Sequence, residues 1–351
     1  MTSIATKPVV DSEARSLHKI TTLPILVLFP HSRCNCRCVM CDIWRIRQVR
    51  EITPDDLKPH LESFRFLKVR WVVFSGGEPL MHSDLGALSR LLRGEGIRLT
   101  LLTAGLLLER QARLVAENVD DVIVSLDGPP EIHNQIRAVP HAFDRLRRGI
   151  EAVRRLRPDM PITARCTVQK SNFRHLRAAV QTAQELGLNS ISFLGVDLTS
   201  SAFNRPEGWP PERSASVALA EDEVKEMARE MEALINACQR EIASGYVVES
   251  PEKLRRMVHH FRAHLGQVPA TAPRCNAPWV SAVVEADGSV RPCFFHPAYG
   301  DIRTKPLEEV LNSERALDFR RSLDVPSNPV CRRCVCSLYV PEVREASRRA
   351  R

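Results

Sequence analysis

Six short apolar runs, each trailed by a stretch of helical periodicity, partition residues 23–198, and this alternation constrains the fold more than any other feature of the chain. The runs are Leu23–Phe29, Val69–Phe74, Ile97–Leu102, Val122–Leu126, Ile162–Val168 and Ser190–Leu194. Several are apolar throughout rather than alternating, as strands are when helices cover their sheet. Helices are expected at Pro54–Phe66, Leu85–Leu92, Leu108–Ala116, Ala142–Leu156 and Leu176–Leu186, the first capped by Thr53 with Pro54 in its opening turn. Six β-α units are too few for a closed eight-stranded barrel, so the α/β pattern leaves an open partial barrel or a doubly wound sheet.

The rest of the chain divides around this core. Residues 1–22 read as a leader with a short basic helix near Ser16–Ile20. Residues 199–269 hold a polar, proline-bearing lid (Thr199–Ser214) and two linking helices, Glu221–Ala243 and Pro251–Leu265. In the first of these Val224, Met227, Met231, Ile235 and Cys238 recur at three- and four-residue steps, which makes Cys238 a core residue. Residues 270–342 form a second module: a hairpin of Val280–Glu285 and Val290–Cys293 around Asp287-Gly288, a helix at Asn312–Leu323 and a cysteine knuckle at Cys331–Val340. Residues 343–351 are a basic tail. No apolar run reaches bilayer length and no signal peptide is apparent, so a cytoplasmic protein without membrane attachment is expected. The net charge of +8 favours an anionic substrate, while 5% aromatic content supplies few stacking platforms for nucleic acid.

Eleven cysteines sit mainly in two clusters, Cys34, Cys36, Cys38 and Cys41 near one end and Cys275, Cys293, Cys331, Cys334 and Cys336 near the other. An odd count without an export signal argues for metal ligation rather than disulfides. Cys34, Cys38 and Cys41 have the spacing C-x3-C-x2-C, three thiolates that leave one corner of a four-iron cluster free; zinc with Cys36 or His31 as a further ligand is the alternative. Ser75-Gly76-Gly77-Glu78-Pro79 follows the second strand directly. Its paired glycines let a ligand approach the backbone, and Glu78 offers a carboxylate to a cation.

Taken together, these motifs resemble the radical S-adenosylmethionine (SAM) enzymes, over residues 24–195 for the core and 270–340 for the second module. The resemblance implies a partial (β/α)6 barrel with its site at the carboxyl ends of the strands, which every motif follows. It implies that Cys34, Cys38 and Cys41 ligate a [4Fe–4S] cluster with an open iron, that Cys36 is spare, and that SAM binds the open corner. Ser75 and Gly76–Pro79 would meet its methionyl amine, Met40 would pack near its adenine, and Ser125, Asp127, Thr103, Arg165 and Gln169 would face the same cavity. His133 and Arg137 either anchor the loop after Asp127 or meet substrate. Asn172 would fix a loop, and Cys166 is core or a hydrogen donor.

The C-terminal cysteines resemble the SPASM and twitch auxiliary-cluster modules. Five cysteines imply one further [4Fe–4S] cluster on Cys275, Cys293, Cys331 and Cys334, with Cys336 able to replace one of them; structural zinc is the rival. The implied chemistry is cleavage of SAM to a 5′-deoxyadenosyl radical, fed by an external donor such as a flavodoxin or ferredoxin. That radical would abstract hydrogen from a small polar molecule, a sugar, nucleoside or aminocyclitol-like natural-product intermediate, and lead to oxidation, decarboxylation or epimerisation. The alternatives are a peptide maturase or epimerase and a non-catalytic iron–sulfur or zinc scaffold. In the lid, Arg205 and Glu207 are candidate substrate contacts because the loop is polar and follows the sixth strand, with solvated surface positions the expected role of each.

Overall fold

In the computed structural model, which describes residues 18–341, six parallel strands follow one another across a sheet in chain order: β1 (Ile25–Leu28), β2 (Trp71–Phe74), β3 (Arg98–Thr103), β4 (Asp121–Ser125), β5 (Ile162–Val168) and β6 (Ile191–Gly195). A doubly wound sheet would reverse its order part-way. From β1 to β6 it does not, so the chain winds in one direction and leaves β6 as an open edge, a partial barrel. Most of the expected leader and the basic tail lie outside the described residues.

The helices pack on the sheet by the spacing of their apolar residues. The expected Pro54–Phe66 helix is divided into α1 (Pro54–Leu57) and α2 (Leu61–Phe66) by a 3-10 turn, Lys58–His60, that contains Pro59. Proline supplies no amide to an α-helical ladder, hence the interruption. Then come α3 (Leu85–Gly94), α4 (Ala112–Asn118), α5 (Pro130–Arg137), α6 (Ala142–Leu156) and α7 (Leu176–Glu185). In α6, Phe143, Leu146, Ile150 and Val153 turn inward at three- and four-residue steps, each worth about 1.5–3 kcal/mol when fully buried.

The lid segment contains α8 (Pro211–Val217), and the expected Glu221–Ala243 helix breaks at Cys238 into α9 (Glu221–Ala237) and α10 (Gln239–Ala243). Cys238 is buried in the main core, and α11 (Pro251–His264) packs on α9. None of the described helices is long and apolar enough to cross a membrane.

After the short α12 (Ala277–Val280), β7 (Ser281–Val284) pairs in parallel with β1, Ile25 opposite Ser281 and Leu28 opposite Val284. The hairpin to β8 (Ser289–Arg291) turns at Asp287-Gly288, where Gly288 has φ +92°, and β9 (Gly300–Asp301) follows. The second module therefore prolongs the barrel's own sheet to nine strands. Three helices, α13 (Leu307–Leu311), α14 (Glu314–Ser322) and α15 (Pro329–Arg332), close this end.

Candidate active site

The loop after β1 gathers Cys34, Cys36, Cys38 and Cys41 in one apolar pocket with Leu106 and Ala142, and Met40 packs against it. Its backbone is strapped to the end of α5: the amides of Arg37 and Val39, on either side of Cys38, donate to the carbonyls of Arg137 (3.1 Å) and Ile136 (3.0 Å). A hydrogen bond from Cys36 and the Arg137 charge hold the Cys38 thiol down to about 7 despite burial. Cys36, bonded to Cys34 and Cys38 and buried, is pushed far up, and burial takes Cys41 to about 12.

The glycine loop after β2 lies directly against this one. The amide of Glu78 donates to the Arg33 carbonyl (2.9 Å), and that of Ser75 donates to the Leu28 carbonyl (2.9 Å). Gly76, at φ +95°, packs under Phe29, and Gly77 lies against the backbone of Arg33 and Cys34 so closely that a Cβ would find no room. Glu78 differs from the expectation of a carboxylate offered to a cation. It is fully buried and accepts from the Thr103 hydroxyl (2.8 Å) and the amides of Ala104 (2.9 Å) and Leu80 (3.1 Å). Its carboxylate, and Thr103 with it, ties the β2 loop to the β3 loop. Backbone groups of the glycines are left to meet an ammonium.

Along the carboxyl ends of β4 and β5, Ser125 pairs with Arg165 in register. Arg165 Nε and both amide atoms of Gln169 are buried with no partner among the described residues. Orphaned polar atoms of this kind are costly unless a ligand satisfies them. These residues thus fit SAM. Asp127, by contrast, is fully buried and engaged: Arg137 Nε donates to it at 2.6 Å and the Thr167 amide at 3.3 Å. Asn172 donates to the carbonyls of Asp127 and Thr167 (both 3.0 Å) and to the buried Cys166 sulfur, and so fixes the loop after β5.

In the second module the burial-raised thiols of Cys293 (about 12) and Cys331 (about 11) share Cys275 as a neighbour, as do Cys334 and Cys336. Arg165 and Asp197 are among the charged groups around Cys336. His296, missed in the sequence, lies 3.3 Å by its Nε2 from the Cys331 sulfur; its only local signal is a position three residues after Cys293. Among the described residues no three such side chains close on one point as ligands of a single ion do. Both groups are open baskets of thiols rather than tight cages.

Beside the second basket, a cavity of about 590 Å³ runs from Asp197 and Thr199, past Phe295, to Arg332, Arg333 and Cys334. A contiguous recess adds Arg256, His259, His260 and His264. The expected role of Arg205 is corrected here. It is 2% exposed, ion-paired with Asp197 and stacked between Phe203 and Trp209, because burying a guanidinium requires a partner and aromatic faces. Glu207 is exposed as expected. The lid is pinned beside Cys41, since Asp42 accepts from Trp209 Nε1, Arg213 (2.7 Å) and Arg45 (2.9 Å).

A family model described as the Radical SAM superfamily matches residues 28–183, and one described as an iron-sulfur cluster-binding domain matches residues 275–335. An AdoMet-dependent heme synthase of Methanosarcina barkeri is 28% identical over 297 residues, 83% of this chain and 82% of that protein. A PqqA peptide cyclase of Bradyrhizobium diazoefficiens is 25% identical over 248 residues, 69% of this chain and 62% of that protein. The structure of Streptococcus suis SuiB bound to precursor peptide SuiA has the same fold at TM-score 0.64 and 14% identity, over 94% of this chain and 74% of that one.

Proposed function

The chain belongs to the radical SAM superfamily and carries an auxiliary iron–sulfur cluster-binding domain, and from that premise we propose that it acts on a carboxylate-bearing small molecule of tetrapyrrole size, held in the arginine-lined cavity beside the second cysteine group. When bound, the first cluster together with SAM would supply one-electron chemistry and the abstraction of a hydrogen atom from the substrate. The chain's own part is placement. Cys34, Cys38 and Cys41 would hold the first cluster; the Gly76–Gly77 backbone, Ser125, Arg165 and Gln169 would orient SAM; and the lid pinned at Asp42 would limit water. Cys275, Cys293, Cys331 and Cys334, with Cys336 as the possible substitute, would hold the auxiliary cluster.

The observation that carries the substrate class is the cavity itself. At about 590 Å³ it falls in the range of small-molecule sites, Arg332 and Arg333 line it and Arg256 lines its recess; burial lowers the pKa of the neighbouring His260 to about 4 and lowers that of His264, so the arginines carry the positive charge. Its one carboxylate, Asp197, is already neutralised by Arg205. Such a lining suits a polyanion. The heme synthase name adds support for a tetrapyrrole. The sugar, nucleoside and aminocyclitol expectations have no support in either relative's name and are not carried forward.

The test is anaerobic titration of the reconstituted protein with an iron porphyrin tetracarboxylate, followed by its Soret band, with SAM cleavage read as 5′-deoxyadenosine. Saturable binding and porphyrin-dependent cleavage are expected, and the Arg332→Ala/Arg333→Ala double variant should bind at least about tenfold more weakly, the order of two lost charge-assisted contacts. Cleavage that responds to a precursor peptide and not to the porphyrin would overturn the reading in favour of a peptide maturase.

A further inference from the structure

We propose that Arg137 is a positioning residue for the first cluster: it orients the Cys38 sulfur, raises the cluster's reduction potential, and shares its charge between that sulfur and Asp127. The proposal rests on Cys38 being a cluster ligand. The geometry is specific. Arg137 is 7% exposed, its Nε donates to Asp127 Oδ2 at 2.6 Å, and its NH1 donates to Cys38 Sγ at 3.5 Å. The same helix, α5, ends on the carbonyls that receive the amides flanking Cys38. Backbone and side chain of one helical terminus therefore grip one cysteine.

The groups around Arg137 exclude the simpler readings. Asp127 and His133 are fully buried, so Arg137 meets its carboxylate partner away from solvent. His133 Nδ1 accepts from the Asp127 amide at 3.3 Å, so that ring supports the Asp127 backbone. If the guanidinium served only to neutralise Asp127, it would have no reason to extend a second nitrogen to a sulfur. A cation donating to a cluster thiolate in a dry setting stabilises the more negative, reduced state and so raises the potential; Asp127 opposes this by drawing the guanidinium's charge to itself.

Removing the two partners should therefore move the potential in opposite directions, which a structural role would not do. The experiment is an EPR-monitored redox titration of the reconstituted protein, following the signal that changes when SAM is added. Arg137→Gln should lower the potential by about 59 mV or more, a tenfold change in the reduced-to-oxidised ratio for one electron. Asp127→Asn should raise it. Because Arg137→Gln leaves a buried carboxylate unpaired and could cost the fold, the Asp127→Asn/Arg137→Gln double variant, neutral on both sides, is measured as well and should also lie below wild type. Potentials that shift the same way in Asp127→Asn and the double variant, or that do not shift, would overturn the proposal. A wild-type protein with no SAM-responsive signal would instead overturn the assignment of Cys38 as a ligand.

Discussion

Substituting Gly77 by alanine tests whether the glycine loop and the cysteine loop form one rigid cradle. A Cβ built at Gly77 would stand 2.2 Å from the Arg33 carbonyl oxygen, 2.7 Å from its carbon and 3.4 Å from the Cys34 amide nitrogen. Carbon and oxygen do not approach closer than about 3 Å, so the two backbones must separate by about 0.8 Å. The obstacle is main chain, not a side chain that could swing away. The hydrogen bond from the Glu78 amide to the same carbonyl, 2.9 Å, would be stretched beyond use. Overpacking of this kind costs about 1–3 kcal/mol of stability. The larger effect falls on Cys34, the next residue, since a displacement near 1 Å at a reacting constellation can cost about 100-fold in rate. The assay compares Gly77→Ala with wild type for iron per chain after anaerobic reconstitution, SAM affinity and 5′-deoxyadenosine formation. Gly94→Ala is the control: beyond its chain neighbours and its own helix backbone no atom lies within 4 Å of its Cβ, it ends α3, and it should stabilise the fold by roughly 0.5–1 kcal/mol. Full iron content and SAM cleavage within threefold of wild type in Gly77→Ala would refute the idea that contact between the two loops sets the site.

Three further outcomes are expected. Asp42→Ala removes the acceptor of Trp209, Arg213 and Arg45, so limited proteolysis should cut within residues 199–217 several-fold faster than in wild type, with SAM cleavage as the parallel readout. His133, whose burial lowers its pKa from 6.5 to about 4, stays neutral in the fold while the unfolded chain takes up a proton. Stability should thus fall as pH drops from 6.5 towards 4, by about 2 kcal/mol at pH 5 from this residue, and His133→Gln should flatten that part of a Tm-versus-pH curve. Replacing Cys331 and Cys334 together by alanine should remove about four irons per chain, the content of one cluster, whereas Cys238→Ala, in the main core, should lower Tm and leave the iron count unchanged.

Much of this arrangement was legible locally. The six barrel strands fall within one or two residues of their apolar runs, because a strand buried by helices on its faces announces itself by composition. The cysteine and glycine motifs stand at strand ends, as their residue types demand. What local pattern could not carry was partnership at long range. Glu78 offers the same carboxylate whether it faces a ligand or the Thr103 hydroxyl, and only the adjacency of β2 and β3 decides. Arg205 sits in a polar stretch that reads as solvated, yet Asp197 and two aromatic rings make its burial affordable. The break of the long linking helix at Cys238 has no proline or glycine to signal it; Cys238 leaves the helix at φ −109°, ψ 30°.

The pairing of β7 with β1 had no local signal either, and it bears most directly on how the two cysteine groups work together. β1 lies between β2 and β7, with Leu28 opposite Phe74 on one side and Val284 on the other. The first cysteine loop leaves β1 immediately afterwards, and Phe29 still donates to the Val284 carbonyl at 2.8 Å. Phe29 also packs on Phe294, centroids 5.4 Å apart, and Phe294 directly follows Cys293. The separation of the two groups is therefore set by a hydrogen-bonded ladder and a ring contact, not by the linker that joins the modules in sequence. Rotating the second module would break every rung of that ladder, each worth about 1 kcal/mol, along with the apolar burial of Ala282 and Val284. Movement that admits substrate is more cheaply made by the lid, whose Phe203 and Asn204 already hold left-handed φ of 60° and 62° and touch the core through Asp42 and the Phe295 ring. The spacing of the thiol baskets thus rests on paired strands, whereas the lid rests on single contacts to Asp42 and Phe295 and on two residues in left-handed backbone.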